Sequence, residues 1–520
     1  MSAANHADAE RFDVAVIGGG CVGTAVAMFA ARAGLRTALL ERDDFGAGTT
    51  SASTELIHGG LQYLFRLKLG IVRQSNEYAR RIHDSAAHLC RPVPIVVPAY
   101  RGGPIPQAAF RIFMALYERY NRRYKHAPPA RRLSADEIVE RVPGIRSNGL
   151  LGGVEYYEWW IDAARMCLAN ARYAAEQGAD VRNHTNVANI EPTGDGGFRL
   201  EIEDRRTRQT GALHARVVIN ATGPWTDRIC RMVGLADSRR IRPTRGAHVF
   251  VPKLGDVGLL VHFVDGRFGI IVPRGPLSMI GTTDDDYYGD LDSMQATEDE
   301  IGYLLDGARH VLPGADLDHV VDTKVGVRPT IYQYGKNEDK VSRNHRVEQL
   351  SDADMPGFFS IYGGKLATHT RMAEDVLAAV GEYLGRSIEA PADYRLPGAP
   401  QGELESLLAE VSAIAARSGC EEAAVESLMR RYGTRYDAVL RIVQERPELG
   451  ENLCRCQRDG APAQYVLAAE VEYGRQQEWV HTPADIGRRT GLGVGECRQN
   501  GCLDRAARLL EQTPDALLSR

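Results

Sequence analysis

Three glycines, Gly18, Gly20 and Gly23, are the first residues of the 520-residue sequence whose spacing, GxGxxG, points to chemistry. They follow the apolar run VAVI and precede an alanine-rich stretch. A second apolar run, TALL, comes next and is followed directly by Glu41. In such a unit the first glycine permits a tight turn, the second lets the backbone approach a pyrophosphate, and the third lets helix pack on strand. A carboxylate at the tip of the second strand can accept both ribose hydroxyls. The pattern predicts a βαβ unit that binds a dinucleotide; a tight turn with nothing bound does not explain Glu41.

Two later strand ends carry small residues as well. VVINATG ends at Gly223, and FFSIYGGKL passes through Gly363 and Gly364 before a predicted helix. Three such ends, spread over the chain, suit a long cofactor wrapped by one discontinuous domain. A separate NAD domain is more often contiguous, so the distribution favours FAD over NAD.

Several motifs in a fixed order carry a resemblance to a known family. The glycine motif is followed by SxSTxLIHGGLxYL, VINATGPWTD, IVPRGPLSMIGTTDDDY, GVRP and YGGKL. In this order they resemble FAD-dependent glycerol-3-phosphate dehydrogenases, a group within the D-amino-acid-oxidase-like flavoproteins. The resemblance implies FAD and the oxidation of sn-glycerol 3-phosphate to dihydroxyacetone phosphate by hydride transfer to flavin N5. It also implies that the electrons pass to quinone or another acceptor.

The predicted fold class is α/β: a Rossmann-like FAD-binding domain, discontinuous in sequence, with an antiparallel β-sheet substrate domain and a C-terminal helical domain. We expect the FAD-binding domain at 11–90, 145–235 and 340–390, the substrate or cap domain at 91–144 and 236–339, and the helical domain at 403–520. The run AHVFVPK alternates like a strand with one buried face. ELESLLAEVSAIAARSG has helical periodicity and ends at a glycine.

The stretch TSASTELIHGGLQYL contains the candidate base. Removing a hydride from a secondary alcohol requires an acceptor, a base for the hydroxyl proton and groups that hold the substrate. His58 has the near-neutral intrinsic pKa of a base, although a histidine in a loop can also be structural and bond to nearby backbone. Tyr63 can donate a hydrogen bond to substrate or pack as an amphipathic core tyrosine.

Two cations are candidates for the anionic parts of the site. Arg328 precedes Pro329, which restricts it to extended backbone and suits a side chain aimed into a cavity. Arginine binds phosphate or carboxylate bidentately, so Arg328 would hold the substrate; a surface ion pair is the alternative. The resemblance places Lys365 near the flavin pyrimidine edge, where positive charge stabilises the reduced anionic flavin; the alternative is a solvated lysine.

Three positions depart from the family pattern. Gln62 and Thr370 stand where the family usually has arginines, and Glu55 stands where it usually has a lysine. We expect Gln62 to face the anionic end of the substrate, where it offers neutral hydrogen bonds only. Another polyol phosphate or a hydroxy acid therefore stays open as the substrate. A third interpretation is a catalytically silent, FAD-bearing regulatory or interaction subunit.

The predicted site falls into three groups of residues. The catalytic candidates are His58, Arg328 and Lys365, and the substrate-binding candidates are Gln62, Tyr63 and Arg328. The predicted cofactor contacts are Gly18, Gly20, Gly23, Glu41, Thr50, Ser51, Ser53, His58, Val187, Ala221, Thr222, Gly223, Gly363, Gly364, Lys365 and Leu366.

Four cysteines near the C-terminus form two closely spaced pairs. Cys454 and Cys456 form CxC, and Cys497 and Cys502 form CxxxxC. They resemble the [2Fe-2S] module at the C-terminus of the anaerobic type of the same dehydrogenase. Four thiolates suit such a cluster or zinc, and ordinary reduced cysteines in a helical domain are the alternative.

Charge and hydropathy limit the location and the partners. The net charge of -5 gives no reason to expect nucleic acid, and the longest nearly uncharged apolar stretch is far below the ~20 residues that span a bilayer. No leading stretch reads as a signal peptide, and nine cysteines favour reduced thiols, so we expect a cytoplasmic protein. Residues 106–125 form a basic amphipathic pattern that either packs on its own domain or lies on the inner face of the membrane, near a quinone. We expect a small anionic substrate and leave a homodimer open.

Overall fold

The computed structural model describes residues 10–57, 69–102, 128–235, 239–333, 345–350, 355–391, 393–458, 461–493 and 501–511. His58, Gln62, Tyr63, Cys497 and the pattern at 106–125 lie outside these ranges.

Two large sheets contain most of the strands. In chain order the described strands are Glu10–Ile17 (β1), Thr37–Leu40 (β2), Leu56–Ile57 (β3), Cys90–Tyr100 (β4), Arg131–Leu133 (β5), Leu150–Ile161 (β6), Asp180–Arg182 (β7), Thr185–Pro192 (β8), Phe198–Asp204 (β9), Thr210–Asn220 (β10), Ile241–Pro252 (β11), Gly258–His262 (β12), Phe268–Arg274 (β13), Leu277–Gly281 (β14), Asp285–Asp286 (β15), Asp322–Ile331 (β16), His345–Gln349 (β17), Phe358–Gly363 (β18), Gln457–Arg458 (β19) and Ala461–Pro462 (β20).

The described α-helices flank these sheets and build the C-terminal part of the chain. They are Cys21–Arg32 (α1), Thr49–Ala52 (α2), Leu69–Ser85 (α3), Ala135–Arg141 (α4), Ala163–Glu176 (α5), Thr226–Met232 (α6), Glu298–Val311 (α7), His369–Leu384 (α8), Leu404–Leu408 (α9), Val411–Ser418 (α10), Glu422–Tyr432 (α11), Tyr436–Glu445 (α12), Ala468–Gln477 (α13), Pro483–Thr490 (α14) and Cys502–Glu511 (α15).

The first sheet is built around the βαβ unit that the glycines predict. Its strand order is β17-β18-β10-β1-β2-β7, with β9 beside β10 and β8 beside β9, and β1 pairs in parallel with both β2 and β10. β10 also pairs in parallel with β18, so the small residues after β1, β10 and β18 meet at one edge of the sheet. That edge, at the carboxyl ends of parallel strands, is where open α/β sheets bind ligands.

Helix α1 forms the centre of the main core. Ala25, Val26, Ala27 and Met28 are all fully buried, so the helix is apolar on all sides, as a helix enclosed by other elements must be. It packs against α5 and α8, which cover the first sheet.

The second sheet is mainly antiparallel and forms the other wall of the site. Its order is β15-β11-β14-β13-β12-β4-β6-β3, with β16 beside β11 and β5 beside β6. In β11, Ala247, Val249 and Val251 join a core that includes residues of α7, so the alternating His248 and Phe250 face the opposite side.

The sheet pairing places β6 differently from the sequence expectation. Residues 145–235 were expected in the FAD-binding domain, but Leu150–Ile161 pairs with β3, β4 and β5 in the second sheet. We therefore propose to assign residues 150–161 to the substrate domain.

The chain after residue 403 is predominantly helical, as predicted. Helices α9 to α15 share a core that includes the fully buried Val425, Leu428, Val439 and Ile486. Among the residues that the structure describes, no helix combines the length and apolarity needed to cross a membrane.

Candidate active site

A cavity of about 1020 Å³ lies between the carboxyl edge of the first sheet and the inner face of the second. Its walls include the glycine turn after β1, the ends of β2, β10 and β18, and inner-face residues of the second sheet such as Tyr156 and Ile270. The volume is at the upper end of what ligand sites in proteins occupy. The cavity therefore has room for a large ligand that touches both sheets.

Each of the three positions in the motif needs a glycine for a different reason. Gly18 has φ +108°, and a Cβ there would lie 2.8 Å from the Ala221 carbonyl oxygen. A Cβ at Gly23 would lie 1.8 Å from the Gly18 carbonyl oxygen, so only glycine lets α1 pack this closely. A Cβ at Gly20 would meet Thr50 Oγ1 at 3.4 Å, an ordinary contact, and Gly20 lines the cavity. The protein's own packing therefore does not require glycine at position 20, whereas a ligand that approaches the backbone there would require it.

Glu41 closes the end of the cavity beside the glycine turn. Its Oε2 accepts a hydrogen bond from the Gly19 N–H at 2.6 Å, and its Oε1 accepts one from the Asp43 N–H at 2.7 Å. Burial raises the pKa of Glu41, and these two N–H groups oppose the rise. The bonds hold the carboxylate at the cavity wall with lone pairs left for a further donor, such as a ribose hydroxyl.

Helix α2 and its C-cap residue, Ser53, place three hydroxyl residues near the glycine turn. Thr50 Oγ1 accepts from the Cys21 N–H at 3.1 Å and lines the cavity, as does Ser53, whose hydroxyl donates to the Thr50 carbonyl. Ser51 instead donates to the Gly46 carbonyl, and it is not among the described residues that line the cavity. Its hydroxyl closes the local turn.

The remaining predicted cofactor contacts surround the same cavity. Those in its lining are Val187, Ala221, Thr222, Gly223, Gly363, Gly364, Lys365 and Leu366. Gly363 and Gly364 have φ of +81° and +76°, which bends the chain sharply after β18 and presents Lys365 to the cavity.

Arg328 lies in the wall formed by the second sheet. Its Nη1 donates to Asp284 Oδ1 at 2.9 Å and to the Arg245 carbonyl at 3.3 Å. Its Nη2 donates to Thr282 Oγ1 and to the Thr283 carbonyl, each at 3.3 Å. The ion pair considered as an alternative is therefore present, but it lies in the cavity lining and fixes the direction of the guanidinium.

His248 is a site candidate that the sequence argument missed. It is 3% exposed, and among the described residues neither ring nitrogen has a hydrogen-bond partner. The imidazole lies across Gly281, where a Cβ would be 2.3 Å from His248 Cδ2, and Gly281 lines the cavity. Burial lowers the pKa of His248 to about 3, helped by the nearby cations Lys324, Arg328 and Arg274. The alternation of AHVFVP was the signal that could have placed this histidine on the inner face.

Glu55 carries its own counter-charge. It lines the cavity, is 3% exposed, has φ +56° and forms an ion pair with Arg274. The Arg274 guanidinium also lies 4.3 Å from the centre of the Trp160 ring. Burial raises the pKa of Glu55, and Arg274 lowers it. The acid that replaces the family's lysine is thus neutralised within the wall rather than directed at a ligand.

A second cluster lies in the C-terminal domain. The thiols of Cys454, Cys456 and Cys502 lie within 4.8 Å of one another, and all three residues are buried. The Arg455 N–H donates to Cys502 Sγ at 3.3 Å. Three thiols at this separation can share one metal ion.

Comparison with known proteins decides the family. Residues 13–370 match the family described as FAD dependent oxidoreductase, and residues 391–514 match the C-terminal domain of alpha-glycerophosphate oxidase. The chain is 32% identical to a glycerol-3-phosphate dehydrogenase of Synechocystis, over 92% of this chain and 88% of that protein. It belongs to the FAD-dependent glycerol-3-phosphate dehydrogenase family. The resemblance and the fold class predicted from the sequence are both confirmed.

Other members of this dehydrogenase family are similar to this protein, in sequence or in structure, over nearly the whole chain. The aerobic glycerol-3-phosphate dehydrogenase of Staphylococcus saprophyticus is 28% identical over 93% of this chain and 87% of that protein. The X-ray structure of the Bacillus halodurans glycerol-3-phosphate dehydrogenase complexed with FAD has a TM-score of 0.75 at 27% identity, and covers 97% of this chain and 92% of that one.

The residues present in this oxidoreductase fit FAD, the cofactor of the family. Among the described residues, a Cβ at Gly20 would meet only Thr50 Oγ1 within 4 Å, so a pyrophosphate could approach the backbone there, and Glu41 would accept the hydroxyls of a ribose. The N-terminus of α1 follows Gly20 directly and would supply amide donors to a phosphate.

Proposed function

We propose that this dehydrogenase oxidises sn-glycerol 3-phosphate to dihydroxyacetone phosphate. The observation that carries the proposal is one cavity that joins the dinucleotide turn at Gly20 to a wall containing the anchored guanidinium of Arg328. The names of the relatives support a small phosphate ester as the substrate. When bound, FAD supplies the hydride acceptor.

Arg328 and Lys365 are the proposed anion-binding and polarising groups. Since four protein oxygens hold the Arg328 guanidinium, little conformational entropy is lost when it binds a phosphate. Lys365 stands at the end of β18 on the opposite wall. Gln62 and Tyr63 remain proposed substrate contacts.

Two histidines are candidates for the base that takes the hydroxyl proton. His58 is the candidate from the sequence, and His248 is added because its buried, neutral ring lies against Gly281, which lines the cavity. The pH dependence of kcat/KM separates them. A base with an ordinary histidine pKa loses activity as the pH falls through about 6.5, whereas the lowered pKa of His248 leaves it unprotonated to about pH 4.

The substrate is tested with purified enzyme, a soluble dye as electron acceptor, and a panel of sn-glycerol 3-phosphate, sn-glycerol 1-phosphate, glycerol, a longer polyol phosphate and a hydroxy acid. We expect the highest kcat/KM for sn-glycerol 3-phosphate. A higher value for the longer polyol phosphate or the hydroxy acid would transfer the proposal to that substrate. No turnover of any of them, with FAD bound, would favour the silent subunit.

We also propose that Cys454, Cys456, Cys497 and Cys502 hold a [2Fe-2S] cluster. The close, buried thiols of Cys454, Cys456 and Cys502 support it, together with the resemblance of their spacing to the iron-sulfur module. Iron and acid-labile sulfide in anaerobically purified protein should each approach two per chain and fall in Cys454→Ser. Zinc alone would replace the cluster with a structural metal, and metal-free protein would leave ordinary thiols.

For the acceptor we propose membrane quinone, reached by a cytoplasmic enzyme that binds the inner face of the membrane through residues 106–125. Co-sedimentation with anionic vesicles should be lost when the basic residues of that stretch are replaced by glutamine. Equal sedimentation of the variant and the wild type would contradict the location.

A further inference from the structure

Asp44 joins the loop after β2 to the C-terminal domain. The carboxylate is completely buried, and Arg489 donates to both of its oxygens, Nη1 to Oδ2 at 2.6 Å and Nη2 to Oδ1 at 2.8 Å. Arg488 Nε donates to Oδ2 at 2.6 Å, and Asn183 Nδ2 donates to Oδ1 at 3.0 Å. Both arginines belong to α14, which is more than four hundred residues away in the chain.

This contact is held in one geometry. Arg489 is 2% exposed, and its Nε and Nη2 also donate to the Glu478 carbonyl at 3.3 and 3.0 Å. Burial raises the pKa of the Asp44 carboxyl, but the guanidinium groups of Arg489 and Arg488 together lower it below its usual value. Removing one partner of such a pair leaves a buried charge uncompensated, which strongly destabilises the arrangement.

The loop that Asp44 anchors also carries the dinucleotide contacts. Glu41 receives the Gly19 N–H, and the Gly46 N–H donates to the Gly19 carbonyl at 2.9 Å. The Phe45 ring packs against Gly19, where a Cβ would be 2.8 Å from its Cδ1. Loop 41–46 is therefore bonded to the glycine turn on one side and to α14 on the other.

We propose that Asp44 is a positioning residue for the dinucleotide site, and that the C-terminal domain, through Arg489 and Arg488, sets the affinity of the enzyme for FAD. The proposal rests on FAD binding at the glycine turn and is independent of the substrate. Because linkage is reciprocal, FAD should also strengthen the docking of the C-terminal domain.

The test is the dissociation constant of FAD, measured by adding FAD to full-length apoprotein and following flavin fluorescence. Asp44→Asn and Arg489→Met should each raise it about 5- to 150-fold, the usual range for coupled sites. The double variant should be no weaker than the weaker single variant, because both changes remove one interaction. Arg489→Lys should recover part of the affinity, since it restores the charge but not the two-pronged contact.

A matched control separates positioning from general loss of stability. Glu470 forms a buried ion pair with Arg431 inside the C-terminal domain, at 2.6 Å, without touching loop 41–46. Glu470→Gln should lower the unfolding temperature of the domain while the FAD dissociation constant stays within about twofold of wild type.

An unchanged FAD dissociation constant in Asp44→Asn would overturn the proposal, and so would an equal rise in Glu470→Gln. If Asp44→Asn does not fold, Arg488→Met serves instead, because Arg488 is partly exposed and contributes one bond to Asp44. It should raise the dissociation constant several-fold, and no change would also overturn the proposal. Wild-type protein that binds no FAD would instead refute the dinucleotide site itself.

Discussion

Replacing Gly20 and Gly23 separately by alanine distinguishes a ligand site from a packing requirement. At Gly23 the new Cβ would lie 1.8 Å from the Gly18 carbonyl oxygen, inside the 3.0 Å that real Cβ atoms essentially never cross. The neighbouring atom is backbone, so α1 or the glycine turn must move. Such overpacking costs about 1–3 kcal/mol of folding free energy or more. Gly23→Ala should therefore lose both stability and FAD.

Gly20→Ala should behave differently. Within the part of the chain that the structure describes, its Cβ would meet only Thr50 Oγ1 within 4 Å, at an ordinary 3.4 Å, and Gly20 itself lines the cavity. Alanine is a weaker N-cap than glycine, so the apoprotein should lose about 1 kcal/mol of unfolding free energy or less. FAD affinity should fall at least about tenfold, equivalent to 1.4 kcal/mol, because the methyl group occupies the approach of the pyrophosphate.

The assay is urea unfolding of the apoprotein combined with FAD titration. Gly302→Ala is the control: it lies within α7, and a Cβ there meets nothing within 4 Å. It should leave FAD affinity unchanged and stability equal or slightly higher. If Gly20→Ala binds FAD as tightly as Gly302→Ala, the pyrophosphate does not approach the backbone at Gly20.

Three further predictions concern ionisable groups. Arg328→Ala should lower kcat/KM by the equivalent of about 1–3 kcal/mol of transition-state stabilisation, a range reduced because the Arg328 side chain is 32% exposed. Arg328→Lys should recover only part of this loss. Unchanged steady-state kinetics in Arg328→Ala would place the residue outside the substrate site. Glu55→Gln should lower the free energy of unfolding by about 3 kcal/mol, because it leaves Arg274 without its counter-charge. In urea unfolding, adding Arg274→Met should recover much of that loss, and additive losses in the double variant would refute the pairing. Burial lowers the pKa of His88 to about 3, so its contribution to stability is complete above about pH 6.5 and is lost as the pH falls towards 3. Between pH 7 and 5.5 the free energy of unfolding should therefore fall by about 1 kcal/mol. An identical pH dependence of stability in His88→Gln would show that His88 is not the cause.

The parts of the fold that follow local rules were predictable. The βαβ unit follows from glycine spacing and a terminal acid, and the meeting of Gly223 and Gly363 with Gly18 follows from strands that run parallel. The helical C-terminal domain follows from periodicity and terminal glycines.

What the sequence could not predict depends on partners distant in the chain. From the sequence, Glu55 only replaces a lysine of the family pattern, and the fold was needed to show that Arg274 pairs with it. Asp44 is likewise an acid in a loop whose partner, Arg489 in α14, is distant in the chain. The strand at 150–161 could belong to either sheet, because periodicity does not specify which neighbour it pairs with. The position of His248 in the site likewise required the register that sets it opposite Gly281.

We expect the cavity to bring FAD and sn-glycerol 3-phosphate together for hydride transfer. The most direct test of this expectation is to mix the FAD-loaded enzyme with sn-glycerol 3-phosphate in the absence of oxygen and any other acceptor, and to record the visible flavin absorbance while assaying dihydroxyacetone phosphate. We expect the absorbance to bleach with one dihydroxyacetone phosphate formed per flavin, and to persist when glycerol is used instead. A flavin that stays fully oxidised with sn-glycerol 3-phosphate, in protein that binds FAD stoichiometrically, would show that the cavity does not oxidise this substrate.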